Sequence, residues 1–219
     1  MLNSVARSAV SKVVDPIGRA FLRIGLTPDA VTLIGTAGVV IGAVVLFPLG
    51  HLLAGTLVIT AFVLFDLIDG AMARARGHGT DFGVVLDATC DRIADGAVFG
   101  AIAYYCFTRG DAPEIGVAAL ICLVTAQVIS YVKARADSVN LKIGGALAER
   151  AERNLLALFG TGLAGMGIPH VLAILLWILA AASAATVVQR LLQVRKAYLD
   201  RESTAATGPA PDRAPGQQP

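Results

Sequence analysis

Residues 66–95 read DLIDGAMARARGHGTDFGVVLDATCDRIAD. Aspartates stand at 66 and 69, three apart, and again at 87 and 91, four apart. Spacings of three and four bring side chains onto one face of a helix. Long apolar runs flank the stretch on both sides. Asp66 and Asp69 therefore close one helix, and Asp87 and Asp91 open the next. The short Gly-containing loop between them makes the two helices antiparallel neighbours, so their faces can present four carboxylates to one another.

Moving outward from this stretch, six apolar segments are readable, at approximately 29–50, 52–72, 84–108, 113–135, 154–168 and 169–194. A helix needs about 20 apolar residues to cross a bilayer core of about 30 Å. The division between the last two rests on Gly165, Gly167 and Pro169. Composition points the same way. Hydrophobic residues make up 56% of the 219 and charged residues 16%, with a mean hydropathy of +0.70. Soluble domains carry roughly 25% charge, so lipid solvates much of this surface. The 23 glycines suit close helix–helix contact in a bilayer. The fold class read from the chain is an all-α integral membrane protein with six transmembrane helices and an N-terminal amphipathic interfacial helix.

That first helix is placed over residues 2–25. Leu2, Val5, Ala9, Val13, Ile17, Phe21 and Ile24 recur at helical spacing, with Arg7, Lys12, Arg19 and Arg23 between them. Such a helix lies along the interface with its basic face toward anionic headgroups. Residues 1–200 form one membrane domain. The tail at 201–219, rich in Pro, Ala and Gly, lacks apolar periodicity and is expected to be disordered.

Charge distribution sets the orientation. Arg7 to Arg23 precede the first segment, Arg74, Arg76 and Arg92 surround the second connection, and Lys133 to Arg153 surround the fourth. Arg190 to Arg213 end the chain, whereas Arg109 stands alone on the other side. With six spans, the positive-inside rule makes both termini and the aspartate stretch cytoplasmic. The expected location is the plasma (inner) membrane, multi-pass. A net charge of +2 does not suggest a nucleic-acid partner. Cys90, Cys106 and Cys122, odd in number and without a CxxC spacing, read as membrane-packed thiols rather than disulfides or a zinc site.

A charged side chain in a membrane helix costs roughly 2.5–3.5 kcal/mol on insertion scales, so four unpaired carboxylates would cost on the order of 10 kcal/mol. A bound divalent cation, or a pair, relieves both this penalty and the mutual repulsion. Oxygen-only ligands favour Mg²⁺ or Mn²⁺ over zinc. By spacing alone, solvated loop carboxylates paired with Arg74, Arg76 and Arg92 remain the alternative. Asp81 suits that alternative better. Asp95, one turn beyond Asp91, is a candidate supporting partner.

Written out, the stretch is Asp66-x2-Asp69-Gly70-x2-Ala73-Arg74-x8-Gly83-x3-Asp87-x3-Asp91. It resembles the signature of the CDP-alcohol phosphatidyltransferase family, matching at eight defined positions. The resemblance extends over the span layout and the N-terminal helix, and excludes the tail. It implies a two-metal site in which Asp66 and Asp87 touch both ions, Asp69 one and Asp91 the other, with Asp91 also the proton acceptor. It further implies that Gly70, Arg74 and Thr80 contact a CDP-activated lipid, CDP-diacylglycerol. The stretch Thr27-Pro28-Asp29-Ala30-Val31-Thr32 resembles the family's element at the start of the first span, which implies nucleotide contacts from Asp29, Ala30, Val31 and Thr32. A homodimer is a further implication of the resemblance.

The fourth cytoplasmic region is basic, and Lys133, Arg135, Arg153 and Arg195 can converge near the site. Guanidinium groups hold phosphate bidentately, so this set suits a phosphorylated acceptor. Basic residues at cytoplasmic span ends also occur for topological reasons. The run SYVKARADS, with Arg153 and Arg195, resembles a branch of the family, the bacterial phosphatidylinositol phosphate synthases. That implies an inositol phosphate acceptor held by Ser130, Lys133, Arg135, Arg153 and Arg195. Glycerol 3-phosphate, the acceptor of phosphatidylglycerophosphate synthases, is the nearest rival. More remote rivals are an intramembrane prenyltransferase and a non-enzymatic divalent cation transporter.

Overall fold

The computed structural model describes residues 14–76, 79–145 and 149–207, with the side chains of Asp66, Leu67 and 204–207 outside that set. Every regular element among these residues is helical. Helix α1 covers residues 14–23. It is followed by α2 (Pro28–Leu46), α3 (Leu52–Val63), α4 (Asp66–Ala75), α5 (Asp81–Thr108), α6 (Pro113–Ser138), α7 (Arg150–Gly165) and α8 (Val171–Thr207).

Local chemistry sets the starts of the helices that carry the site. Thr27 caps α2 by accepting from Ala30 N at 3.2 Å, with Pro28 in the first turn, where its missing N–H costs nothing. Thr80 caps α5 by accepting from Gly83 N at 2.9 Å. A reciprocal box of Glu149 and Glu152 opens α7. A positive φ of +84° at Gly167, in the left-handed region that glycine tolerates, turns the chain between α7 and α8.

Among the described residues, four stretches are long and apolar enough to cross a membrane: Pro28–Leu46, Leu52–Ala75, Pro113–Ser138 and Val171–Ser203. Helix α7 has only 16 residues. Helix α5 has 28, and its length is ample, but Asp87, Asp91, Arg92 and Asp95 depress its hydropathy. Within Leu52–Ala75 the helix breaks at Leu64 and Phe65, so Asp66 begins a new helix instead of ending the old one. Carboxylates suit the positive end of a helix.

Helix α2 packs against α3, α4 and α5, α6 lies between α5 and α8, and α7 contacts α3 and α8. The core combines Phe47, Ile59, Phe99 and Leu176 with small side chains such as Ala43, Ala103, Ala119 and Cys122. Large apolar residues including Ile41, Leu57, Val124, Ile174 and Leu191 face outward. An apolar exterior over a small-residue core is the arrangement of a bundle solvated by lipid. The three cysteines are buried and free.

Two expectations shift. Val14, Phe21 and Leu22 of the N-terminal helix pack over Val31, Ile68 and Met72, so part of its apolar face covers protein, while Ile24 stays exposed. Residues 2–13 of that helix lie outside the described residues. Helix α8 continues to Thr207, past 201, where the tail was expected to begin. Tyr198 Oη donates to Glu202 Oε1 at 2.6 Å, an i,i+4 pair of the kind that carries a helix onward. The rest of the tail, 208–219, lies outside the described residues.

Candidate active site

Two clefts meet on α5. The first has a volume of about 250 Å³ and lies between the starts of α2 and α5 and the face of α4. Asp29, Thr32, Asp69, Gly70, Thr80 and Asp87 all line it. Six of the expected metal and lipid-nucleotide residues thus share one wall. The first turn of α2 and the capped start of α5 both border it, and helix N-termini suit a phosphate.

Thr32 Oγ1 donates to Asp69 Oδ2 at 2.5 Å and lies 3.1 Å from Pro28 O. The hydroxyl has one proton, and the carboxylate is the stronger acceptor. Helix α2 therefore holds the rotamer of an aspartate on α4. Val31, by contrast, is buried against Ile68 and Met72. Its side chain faces the core, and neither Val31 nor Ala30 is among the residues lining this cleft. Arg74 is not a lining residue of this cleft. Its side chain is 64% exposed and pairs with Asp15 Oδ1 at 3.5 Å. Such surface pairs contribute about 0–1 kcal/mol, so little holds Arg74 there. Arg76 lines the cleft instead.

The second cleft is larger, about 940 Å³, and shares Val84 with the first. Asp91, Ser130, Lys133 and Arg153 line it, as do Arg92, Arg150 and Arg190. Arg153 is 1% exposed and Arg190 4%. Arg190 Nη1 donates to Gly144 O at 2.6 Å, tying α8 to the α6–α7 connection. Of the expected acceptor set, Arg135 and Arg195 are exposed and outside the cleft wall. Arg195 is five residues after Arg190, about 140° around an α-helix, and so projects from a different face. The α8 arginine in the wall is Arg190, which sequence reasoning treated only as an orientation signal.

Asp91 is bound on one side by Arg150 Nη1, 2.6 Å from Oδ1. Arg92 Nη2 lies 3.7 Å from Oδ2. Asp95 is buried beneath it, with Arg92, Arg150 and Asn154 around it. Arg92 stands in the sequence as a possible partner of the aspartates, and Arg150 only as a basic span-end residue. The contact of Arg150 with Asp91 joins α5 to a helix nearly 60 residues later, and no spacing signals it.

Among the described residues, no three carboxylate, histidine or cysteine side chains gather closely enough to hold an ion, and the Asp66 side chain lies outside that set. The remaining three still fit a hard divalent cation in donor chemistry. Asp69 and Asp87 face one cleft and Asp91 lines the next. Their donors are all oxygen, the set that Mg²⁺ and Mn²⁺ take.

An apolar exterior over two clefts that meet at Val84 of α5, with aspartates in each, fits a membrane-embedded enzyme. The chain belongs to the CDP-alcohol phosphatidyltransferase family, whose pattern matches residues 25–189. It is 50% identical over 194 residues to the phosphatidylinositol phosphate synthase of Mycolicibacterium smegmatis, covering 87% of each chain. To that of Corynebacterium glutamicum it is 46% identical over 208 residues, covering 94% of each. Among solved structures it resembles the Mycobacterium tuberculosis phosphatidylinositol phosphate synthase with CDP-DAG bound. There the TM-score is 0.80 at 50% identity, covering 84% of this chain and 94% of that one. The same enzyme in complex with manganese and citrate also gives 0.80, at 51% identity over 83% of this chain and 88% of that one.

Proposed function

We propose that this chain transfers the phosphatidyl group of CDP-diacylglycerol to 1D-myo-inositol 3-phosphate (inositol 1-phosphate), giving phosphatidylinositol phosphate and CMP. The observation that carries the reading is the pair of clefts meeting on α5. One joins Asp29, Thr32, Gly70 and Thr80 to Asp69 and Asp87. The other joins Lys133, Arg153 and Arg190 to Asp91. A cleft with several cationic side chains suits an acceptor bearing a phosphate. The relatives' names and the CDP-DAG and manganese complexes support the same assignment.

The CDP-lipid lies with its diphosphate along Asp69, Gly70 and Asp87. Gly70 offers backbone without a side chain in the way, and Arg74 swings from its exposed pair to a phosphate oxygen. Lys133, Arg153 and Arg190 hold the acceptor's phosphate, with Ser130 beside them, and so aim its hydroxyl at α5. The hydroxyl oxygen attacks the lipid-linked phosphorus. That new P–O bond replaces the bond to CMP, and Asp91 takes the hydroxyl proton. Asp66, Asp69, Asp87 and Asp91 hold two divalent ions, Mg²⁺ or Mn²⁺, which neutralise charge on the diphosphate.

In the bilayer, α5 and α7 add two spans to the four apolar ones, giving six. Both termini and the site then face the cytoplasm, α1 lies at the interface, and 1–200 acts as one domain in a homodimer in the inner membrane. The test is CMP release from CDP-diacylglycerol by the purified chain, with inositol phosphate or glycerol 3-phosphate, each with and without EDTA. Faster release with inositol phosphate, abolished by EDTA, is expected. Faster release with glycerol 3-phosphate would overturn the acceptor. Full activity in Asp91→Asn would overturn its role as base.

A further inference from the structure

Asp95 is completely buried, at 0% exposure, and lines neither cleft. A buried carboxylate is tolerated only when cations and donors surround it. Asn154 Nδ2 donates to Oδ1 at 2.8 Å, Arg150 Nε donates to the same oxygen at 3.3 Å, and Arg92 Nη2 lies 3.4 Å from Oδ2. The other end of the Arg150 guanidinium, Nη1, is 2.6 Å from Asp91 Oδ1. One rigid fork therefore bridges two carboxylates a helical turn apart. Arg150 is the first residue of α7, and Asn154 holds Asp95 from the next turn of the same helix.

We propose that Asp95 and Arg150 are positioning residues that set how strongly Asp91 holds a divalent cation. The inference rests on the reading of Asp91 as a cation ligand. Arg150 competes with a cation for Asp91, because its charge already sits on Oδ1. Asp95 moderates that competition by holding the Nε side of the fork. Removing Arg150's charge must then tighten cation binding at Asp91. Removing Asp95's charge leaves Arg150 wholly committed to Asp91 and must weaken it. Losing Arg150 also releases Asp91 from its fixed orientation, and losing Asp95 ties Asp91 more firmly to Arg150, so both slow turnover. A merely structural role predicts no such opposition, since a loosened site binds more weakly whichever partner is lost.

The test is Mn²⁺ binding to the purified full-length chain, read from the spectroscopic signal of free Mn²⁺, with CMP release measured alongside. Relative to the unmodified chain, Arg150→Gln is expected to bind Mn²⁺ on the order of tenfold more tightly. Asp95→Asn is expected to bind about tenfold more weakly. Arg150→Lys keeps the charge and returns the affinity toward the unmodified value. Shifts in the same direction, or none, in variants that fold would overturn the inference. Should Asp95→Asn fail to fold, the contrast between Arg150→Gln and Arg150→Lys decides the matter alone. If Asp91→Asn binds Mn²⁺ as well as the unmodified chain, the cation reading of Asp91 itself is wrong, and this inference falls with it.

Discussion

Replacing Arg190 by Gln tests the cleft assignment most sharply. Arg190 is 4% exposed and lines the larger cleft. Its Nη1 is committed to Gly144 O, while its Nε is buried with no partner among the described residues. A buried donor without a partner costs roughly 1–3 kcal/mol, and a phosphate in the cleft would supply one. Hydrogen bonds involving a charged group contribute about 1.5–3 kcal/mol. Losing one therefore lowers kcat/KM for the acceptor roughly 10- to 150-fold. Arg190→Lys keeps the charge, but one ammonium cannot reproduce the planar fork that reaches Gly144 and the cleft together. It is expected to fall between the two. Arg195→Gln, at an exposed position off the cleft wall, is expected to change kcat/KM by less than about twofold, as surface changes usually do. The assay is CMP release against inositol phosphate concentration at saturating CDP-diacylglycerol, repeated with the two substrates exchanged. A larger loss in Arg195→Gln than in Arg190→Gln would refute the reasoning. So would an equal rise in KM for both substrates in Arg190→Gln.

Thr32→Val keeps the shape but removes the donor to Asp69. It is expected to slow CMP release about tenfold or more, from the loss of a charge-assisted bond, with Thr32→Ser restoring most of it; activity within twofold of the unmodified chain would dismiss the tether. Gly165→Ala would bring a Cβ to 2.4 Å from Leu53 N and 3.0 Å from Leu53 Cα. Helices α7 and α3 must then separate at a cost of about 1–3 kcal/mol, seen as a lower thermal unfolding temperature in detergent. Gly96→Ala, where nothing lies within 4 Å, is expected to leave that temperature unchanged or raise it, because alanine is the better helix former by about 1 kcal/mol.

Much of the site was legible because its signals are local. Asp66 and Asp69, three apart, and Asp87 and Asp91, four apart, each sit within a turn of one another, a spacing that helical geometry brings to one face. Thr27 and Thr80 stand directly before apolar runs, where a capping hydroxyl is expected, and both act as caps. The break at Leu64 and Phe65 was not legible, because the apolar run passes through it without a glycine or proline. Nor was the choice between Arg190 and Arg195. Helix α8 is apolar around much of its circumference, so no stripe in its sequence distinguishes the face that packs inward from the face that meets lipid.

The chain by itself pointed to a helical membrane protein, to four aspartates as the candidates for its chemistry, and to a basic region around the fourth connection. Those conclusions follow from composition and from spacings of three and four residues, which any α-helix converts to geometry in the same way. Only the tertiary structure decided that Asp69 and Asp87 line one cleft and Asp91 the other, that Arg190 rather than Arg195 lines the larger one, and that Arg150 bridges Asp91 to the buried Asp95. Each of these depends on the rotation of one helix against another. That rotation is set by the packing of small and large side chains across the whole bundle, and no local spacing encodes it.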